Sequence, residues 1–458
     1  MEPVPRERLE ATTRVAVVGG GFGGLNAVKA LRKAPLQVTL IDRRNFHLFQ
    51  PLLYQVATGG LSPANIAAPL RWIFRNQRNC EVVLAEVVGF DLDGRRVLTT
   101  EGDVPYDFLI VAAGSRHSYF GRDEWADLAP GLKTIEDATE IRGRLYSAFE
   151  RAEHEQDPEL RRALLNFAIV GGGPTGVELA GALAEIARHS LRNDFRHINP
   201  ADAGIMLVEA GQRVLGGFPE DLSAKAHQSL EKLGVTVRTS TMVTAITRED
   251  VELKSATGVE RWPTRTVLWA AGVLASPLAK ALVVNSQAQT DRAGRILVNA
   301  DASLPGRPDV FVIGDMASFT HQGGAPLPGV AQVAIQQGRY VAKLIVARLK
   351  GTAVGQFHYR DLGNLATIGR SAAVAQIRRF HFSGFLAWWL WLLVHLMHIV
   401  NFRNRLLVLT QWSWNYFTYD RSARLITGDV PDDADLAALQ RLAAPPKHPA
   451  PSGSAAAK

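Results

Sequence analysis

The chain has 458 residues, a net charge of +7 at pH 7, and 47% hydrophobic residues. This length suits about two to four domains, and the apolar content is ordinary for a chain with sizeable buried cores. The single cysteine, Cys80, excludes an internal disulfide, a redox-active cysteine pair and a thiolate metal site. Any redox chemistry therefore has to come from a bound cofactor.

The first predicted unit is a short strand, Arg14 to Val18, followed by a glycine-rich turn and a helix over residues 25–32. The glycines of the turn form the pattern G-x-G-x-x-G at Gly19, Gly21 and Gly24. In such a motif the glycines allow a tight turn, close approach of a pyrophosphate, and close packing of helix on strand. Asp42 ends the next predicted strand, where a carboxylate accepts hydrogen bonds from an adenosine ribose. We therefore predict a dinucleotide-binding domain that begins with residues 14–150.

The same pattern recurs after a second predicted strand, Phe167 to Val170. Its glycines are Gly171, Gly173 and Gly176. A later strand ends in Glu209, and a carboxylate at that place favours NADH over NADPH because it accepts from a free ribose 2′-hydroxyl. The nearby Arg213 leaves NADPH open as an alternative. Residues 151–285 are predicted to form this second nucleotide domain.

Two such motifs in one chain resemble the two-dinucleotide-binding-domain flavoproteins, in which the first motif binds FAD and the second binds the nicotinamide. Further segments resemble the parts that return each domain to its cofactor: 107–115 with Gly114, 266–273 with Gly272, and 309–318 with Asp315. The resemblance implies that Asp315 contacts the ribityl or phosphate part of FAD. It also implies an α/β fold with two Rossmann-like domains, in which residues 286–372 complete the FAD domain.

The cysteine count separates members of this superfamily. Cys80 alone cannot form the thiol pair of a disulfide reductase, nor carry sulfur as in a sulfide:quinone reductase. Residues 43–63 and 327–345 resemble type II NADH dehydrogenases, the single-subunit NADH:quinone oxidoreductases. The second segment contains their A-Q-x-A-x-Q motif at Ala331, Gln332, Ala334 and Gln336. The resemblance covers residues 14–428 and implies FAD, NADH and a membrane quinone, with no metal.

Four side chains are candidates for the reaction itself. Gln332 and Gln336 are four residues apart on a helix predicted to begin at Pro328, so they share one face. Their amides suit a quinone carbonyl in an apolar pocket, and the alternative is that they satisfy buried backbone groups. The resemblance places Gln55 in the same region and Glu178 near the nicotinamide and flavin. A purely structural alternative for Glu178 is a first-turn carboxylate stabilised by the helix dipole.

The most apolar stretch runs from Phe382 to Leu407 and is rich in tryptophan, and its part from Phe382 to Val400 is near the minimum length for a membrane span. Residues 370–424 contain seven arginines and one acid, Asp420. Three structures remain open: a buried core helix, a single membrane span, and an apolar platform in the membrane plane with a basic rim. The histidines of this stretch disfavour a span, and the resemblance is to a monotopic family. We expect a membrane-associating region over 373–430 and a disordered tail over 431–458.

Two rival functions and several partner predictions follow. A soluble NADH-dependent ferredoxin- or rubredoxin-type reductase would share both motifs, and so would a non-enzymatic flavoprotein that responds to NADH. Nucleic acid is not an expected partner, because no recognised motif accompanies the positive charge. The sequence shows no channel of intramembrane ionisable residues, and proton pumping is therefore not expected. The polar first residues, 1–14, lack a signal peptide's apolar core. We expect a peripheral protein on the cytoplasmic face of the inner membrane. A homodimer is an open alternative.

Overall fold

The computed structural model describes residues 13–284 and 286–427, so the predicted tail and residues 1–12 of the polar start lie outside the described residues. Within these ranges the α-helices are Phe22–Ala30, Leu53–Ala57, Pro63–Ile66, Leu70–Phe74, Ile135–His154, Pro158–Leu164, Pro174–Glu185, Glu220–Lys232, Leu278–Val284, Ala331–Leu349, Phe385–His398 and Phe402–Thr418. The helix predicted to begin at Pro328 begins instead at Ala331, because Val330 is still extended.

The first nucleotide domain is built on a six-stranded sheet. In spatial order its strands are Ser303–Leu304, Arg307–Val312, Phe108–Val111, Arg14–Val18, Gln37–Asp42 and Cys80–Leu84. All neighbours are parallel except the first pair. Val15 to Val18 are buried, as expected for a central parallel strand covered on both faces. Two separate parts of the chain therefore complete this one sheet.

The second nucleotide domain has four parallel strands: Val235–Arg238, Gly204–Val208, Asn166–Val170 and Thr266–Trp269. Between the first and the last of these strands in spatial order, the chain forms a separate antiparallel sheet of Met242–Ile246, Asp250–Ser255 and Gly258–Pro263. Val170 pairs with Val208 and with Trp269, so three strands end together where the second glycine loop begins. Ligands of open parallel sheets bind at this carboxyl edge. The predicted α/β fold with two Rossmann-like domains is confirmed.

Several smaller sheets accompany these two domains, and the last of them joins the domains. Their strands are Phe46–Leu48 with Ala67–Pro69, Val87–Asp91 with Arg96–Thr99 and Val104–Pro105, Ile296–Leu297 with Ala317–Ser318, and Ser115–His117 with Val273–Ala275. The last pair is antiparallel, with Ser115 opposite Ala275. It joins the two segments predicted to return each domain to its cofactor, and Gly114 and Gly272 lie at its opposite ends.

The C-terminal module is an antiparallel sheet of Asn364–Gly369, Ala372–Ile377 and Phe380–Gly384, followed by two helices. We call Phe385–His398 the tryptophan helix and Phe402–Thr418 the C-terminal helix. The predicted domain boundary after residue 372 falls at the start of the second strand, and the domain division as a whole stays a prediction.

The apolar stretch from Phe382 to Val400 is not one element. It begins in the last strand of the module, turns at Gly384 with a φ of +71°, and only then enters the tryptophan helix. Glycine adopts this left-handed conformation without steric cost. Among the described residues, no helix combines the length and apolarity needed to cross a membrane.

Candidate functional site

The first glycine loop has a backbone that only glycine permits. Gly19 has a φ of +100°, and a Cβ there would lie 2.5 Å from the carbonyl oxygen of Ala112. A Cβ at Gly24 would overlap the carbonyl oxygen of Gly19, whereas one at Gly21 would meet open space. The backbone thus leaves room for a phosphate at the N-terminus of the helix Phe22–Ala30. The Nδ1–H of the buried His47 donates to the Gly20 carbonyl oxygen, 2.8 Å away, and stiffens the turn.

Asp42 lies beside this loop at the end of its strand. Its carboxylate accepts hydrogen bonds from the backbone N–H of Gly20 at 2.6 Å and of Arg44 at 2.7 Å. Burial raises the pKa of this carboxyl, and the two N–H donors oppose that rise. A carboxylate oxygen has further lone pairs, so Asp42 still has acceptor capacity for a ribose hydroxyl.

The second loop repeats the first. Gly171 has a φ of +110°, a Cβ at Gly176 would overlap the Gly171 carbonyl oxygen, and one at Gly173 would meet open space. Glu209 accepts from the N–H of Gly172 and of Gly211, each at 2.6 Å. The carboxylate therefore stands beside the loop in the same way as Asp42 does in the first domain.

Arg213 is directed away from this acidic side chain. Its guanidinium donates to the carbonyl oxygens of Phe218 at 2.6 Å and Gly216 at 3.0 Å, within its own loop. The guanidinium is thus held by backbone acceptors next to the second nucleotide loop.

Asp315 follows the strand Arg307–Val312 and lies beside the first return segment. The Ser115 hydroxyl donates to its carboxylate at 2.7 Å, and the Lys133 ammonium donates to that hydroxyl at 2.9 Å. Burial lowers the pKa of Lys133, and the nearby Asp315 opposes this. A Cβ at Gly114 would meet open space. Lys133 was not predicted, because its contact with Asp315 joins distant parts of the chain.

The residues present fit a bound FAD in the first domain. The open space at Gly21 and Gly114 is a cradle that a Cβ would fill, and the carboxylates of Asp42 and Asp315 are bonded to the residues next to these glycines, Gly20 and Ser115. Gly272, in contrast, lies against the ring of Phe120, where a Cβ would come within 2.5 Å of the ring. Phe120 thus covers the return segment of the second domain.

Glu178 lies at the fifth position of the helix Pro174–Glu185, one place beyond its first turn, which weakens the helix-dipole alternative. It is buried, and burial raises the pKa of its carboxyl to about 8, opposed only in part by the Thr367 N–H, 3.5 Å from Oε1, and by the Trp391 indole. The indole N–H itself makes no hydrogen bond of acceptable geometry within the described residues. The carboxyl is therefore neutral at pH 7 and faces a polar group that lacks a partner.

A single cavity brings Glu178 together with residues from three other parts of the chain. Gln55 and Trp412 line it with Glu178, and the Trp412 indole N–H donates to Gln55 Oε1 at 2.7 Å. Two more tryptophans, Trp388 and Trp391, complete an aromatic wall. Aromatic walls with a few convergent polar groups are typical of pockets for flat organic ligands.

A buried ion pair closes the polar side of this cavity. Arg421 donates to Glu185 at 3.0 Å, and their side chains are only 13% and 14% exposed. Arg421 also donates to the Thr58 hydroxyl at 3.0 Å. The pair links the end of the C-terminal module to the nucleotide domains. No local pattern in the sequence indicated it, because its partners are far apart in the chain.

Gln332 and Gln336 do not line this cavity; both are tied to the segment that leads into the C-terminal module. The Gln332 amide donates to the Gly363 carbonyl oxygen at 2.9 Å and accepts from the Leu362 N–H at 3.2 Å. Gln336 pairs in the same way with the backbone of Arg360. This geometry is that of the backbone-satisfying alternative. The neighbouring Gln337, which was not predicted, is buried and accepts from the Gly314 N–H at 2.7 Å.

The two C-terminal helices expose apolar side chains on their outer faces. Phe402 and Phe417 are 78% and 80% exposed, and Leu406 and Trp414 more than half exposed. The opposite faces are buried, as at Trp391 and Trp412. His395 is neutral at pH 7, because burial lowers the pKa of its imidazole to about 4, and its Nδ1 lies 2.7 Å from the Trp391 carbonyl oxygen.

The fold and the two nucleotide loops define a pyridine nucleotide-dependent flavoprotein. Residues 13–338 match the family model of the pyridine nucleotide-disulphide oxidoreductases, and residues 362–419 match the NDH2 C-terminal domain. The solved structure of NDH2 from Plasmodium falciparum in complex with NADH is 18% identical and superposes with a TM-score of 0.82, covering 91% of this chain and 100% of that chain. That match shows the fold.

Sequence relatives are more specific. The type II NADH:quinone oxidoreductase Ndh of Mycobacterium tuberculosis is 46% identical over 422 residues, which are 90% of this chain and 90% of that protein. The type II NADH:quinone oxidoreductase of Staphylococcus haemolyticus is 30% identical and covers 78% of this chain and 87% of its own length. The chain belongs to the type II NADH:quinone oxidoreductases. The predicted family is confirmed and favoured over the ferredoxin-type alternative.

Proposed function

We propose that this enzyme oxidises NADH at the second glycine loop and reduces a membrane quinone in the tryptophan-lined cavity. One observation supports this most: Glu178, on the helix that follows the second loop, lines the same cavity as Gln55 and Trp412. A nucleotide domain and the C-terminal module thus share one pocket. The bound FAD supplies the chemistry that accepts a hydride from NADH and passes two electrons to quinone.

The first loop would hold FAD. In this proposal the open N-terminus of the helix Phe22–Ala30, beside Gly21, faces the pyrophosphate, Asp42 accepts from the adenosine ribose, and Asp315 contacts the ribityl or phosphate part. The Ser115–Lys133 pair fixes the Asp315 carboxylate in its rotamer.

The second loop would hold NADH. Gly171, Gly173 and Gly176 give its pyrophosphate the same open N-terminus, and Glu209 suits a free ribose 2′-hydroxyl. Arg213 already donates to two carbonyl oxygens, which favours NADH over a cofactor with a 2′-phosphate.

The cavity side chains would orient the quinone and exclude water. The amide of Gln55 is suited to a quinone carbonyl, and Glu178 is placed to give a proton to the reduced product. Gln332 and Gln336 act indirectly on the cavity. Their amides bond the backbone of residues 360–363, the segment just before the strand that contains Thr367.

The two half-reactions provide the test. The purified protein is expected to be yellow, to bleach with NADH under anaerobic conditions, and to regain its colour when a short-chain quinone is added. A protein that purifies without flavin, or a reduced protein that quinone fails to reoxidise, would refute the proposal.

Gln332→Leu is expected to slow quinone reduction about ten-fold while leaving the bleaching by NADH intact, because a shifted anchor misplaces the cavity wall. Stopped-flow spectroscopy measures both steps. Gln156→Leu is the matched control, since its exposed amide bonds the backbone of His154, away from this segment. Equal slowing of both half-reactions would remove Gln332 from the quinone side.

The exposed faces of the tryptophan helix and the C-terminal helix would rest on a membrane, with the helices in its plane. Such faces bind by burying apolar area at the head-group boundary. We propose that the enzyme is peripheral on the cytoplasmic face of the inner membrane. A homodimer stays a prediction.

Leu406→Glu is expected to lower binding to phospholipid vesicles about ten-fold or more, because a charge would replace one of the inserted apolar groups. Turnover with a short-chain, water-soluble quinone should stay unchanged. Val259→Glu is the matched control, since Val259 is equally exposed but lies on the antiparallel sheet of the second nucleotide domain. Vesicle co-sedimentation measures the effect, and equal binding by both variants would contradict the membrane face.

A further inference from the structure

A small basic and aromatic surface lies outside the C-terminal module. The short helix Leu70–Phe74 and the turn after it expose Arg71, Trp72, Arg75 and Arg78. The Arg75 guanidinium stacks 4.2 Å from the centre of the Trp72 ring, which is itself 42% exposed. None of these arginines forms an ion pair with any described residue, and residues 63–80 contain no acid. We call these four side chains the arginine–tryptophan patch.

The patch is joined to the start of the C-terminal helix. The Asn404 side chain donates to the carbonyl oxygens of Ala64 at 3.0 Å and Ala67 at 3.2 Å, just ahead of the short helix. Val400 packs against the hydrophobic core that contains Leu70 and Phe74. The short helix therefore stands beside the exposed end of the C-terminal helix, next to Phe402.

Further cations cluster where the first nucleotide domain meets the C-terminal helix. Burial lowers the pKa of Lys29, and the guanidinium groups of Arg339 and Arg405 lower it further. Lys29 and Arg339 belong to the first nucleotide domain, whereas Arg405 belongs to the C-terminal helix. Cations crowd where the two parts meet, and a positive surface of this kind is complementary to an anionic partner.

We propose that the arginine–tryptophan patch is a second membrane contact, which binds the anionic head groups of phospholipids. Its guanidinium groups match phosphate in charge and geometry, and tryptophan prefers the head-group level of a bilayer. This inference rests on the proposed membrane contact of the C-terminal helices. Two contacts on different domains fix the tilt of the enzyme relative to the membrane, whereas a single amphipathic face leaves this tilt variable.

The holoenzyme and two kinds of vesicle test the patch. Vesicles of phosphatidylcholine alone are compared with vesicles in which half the lipid is phosphatidylglycerol. The double variant Arg71→Gln/Arg75→Gln is expected to lose about ten-fold in partition onto the anionic vesicles, since each basic residue near such a surface adds attraction. Its binding to neutral vesicles should change little. Trp72→Ala should weaken binding to both kinds.

The double variant Lys254→Gln/Arg292→Gln removes the same charge from exposed positions elsewhere and is the matched control. An equal loss in patch and control variants would overturn the inference and leave only a net-charge effect. Leu406→Glu separates the two proposals, because it should reduce binding to both vesicles while the patch variant loses only the anionic attraction. A patch variant that binds vesicles normally but changes its mass in solution would assign the surface to a second copy of the chain.

Discussion

Gly24→Ala is expected to give a protein without flavin, whereas Gly176→Ala is expected to stay yellow and lose its response to NADH. In each case the new Cβ would overlap the carbonyl oxygen of the first glycine of its own loop, Gly19 or Gly171. The oxygen can move only if the turn opens, and the N–H groups then no longer point at a pyrophosphate. Misplacement of this kind should slow the bleaching of Gly176→Ala by NADH about 100-fold.

Flavin absorbance per protein and anaerobic stopped-flow bleaching distinguish these outcomes. Gly355→Ala is the control, because a Cβ there meets no atom within 4 Å. Circular dichroism verifies that each variant has folded. If Gly176→Ala also purified without flavin, the assignment of one cofactor to each loop would be wrong.

The nucleotide loops could be predicted from sequence because their constraints are local. The strand Arg14–Val18 has the predicted bounds, and the second strand is one residue longer than predicted, at Asn166–Val170. A tight turn, a close helix and a carboxylate one strand later depend on sterics over short spans of chain. Each of these can be recognised within a window of about thirty residues.

The cavity could not be predicted in the same way. Gln55, Glu178 and Trp412 meet only after two nucleotide domains and the C-terminal module have packed together. One contact that brings them together is invisible in a sequence pattern: Gly181 lets the backbone at Ile368 approach so closely that a Cβ would overlap its carbonyl oxygen. The glycine resembles any other small residue in an alanine-rich helix.

The sequence also could not predict which segment a given side chain contacts. Helical spacing correctly put Gln332 and Gln336 on one face, but periodicity does not say which segment packs on that face. Here the partner is the backbone of residues 360–363. In the same way, the apolar run from Phe382 gave no sign of the turn at Gly384, because a hydrophobic strand and a hydrophobic helix differ little over short stretches.

Glu178→Gln is expected to slow quinone reduction at pH 7 about 100-fold, because an amide cannot give a proton to the reduced quinone. Bleaching by NADH should change far less. In the parent enzyme the carboxyl, with its pKa of about 8, is protonated at neutral pH, so quinone turnover should fall as the pH rises above 8. The variant should lack this limb of the pH profile. Glu101→Gln, at an exposed position, is the control.

The same substitution should stabilise the fold, and the sign follows from the direction of the pKa shift. An unfolded glutamate titrates near its ordinary value of 4.5, whereas the buried Glu178 titrates at about 8, so the folded state binds more protons between these values. Stability of the parent therefore falls as the pH rises through this window and levels off above it, for a total of about 5 kcal/mol. The neutral amide has no such slope. Denaturant titrations should show the two proteins diverging from pH 5 to pH 8, and parallel curves would mean that Glu178 is ionised in the folded enzyme. Glu178 therefore destabilises the fold in the same pH range in which it is protonated for catalysis. Such a cost is expected where function requires a buried proton donor.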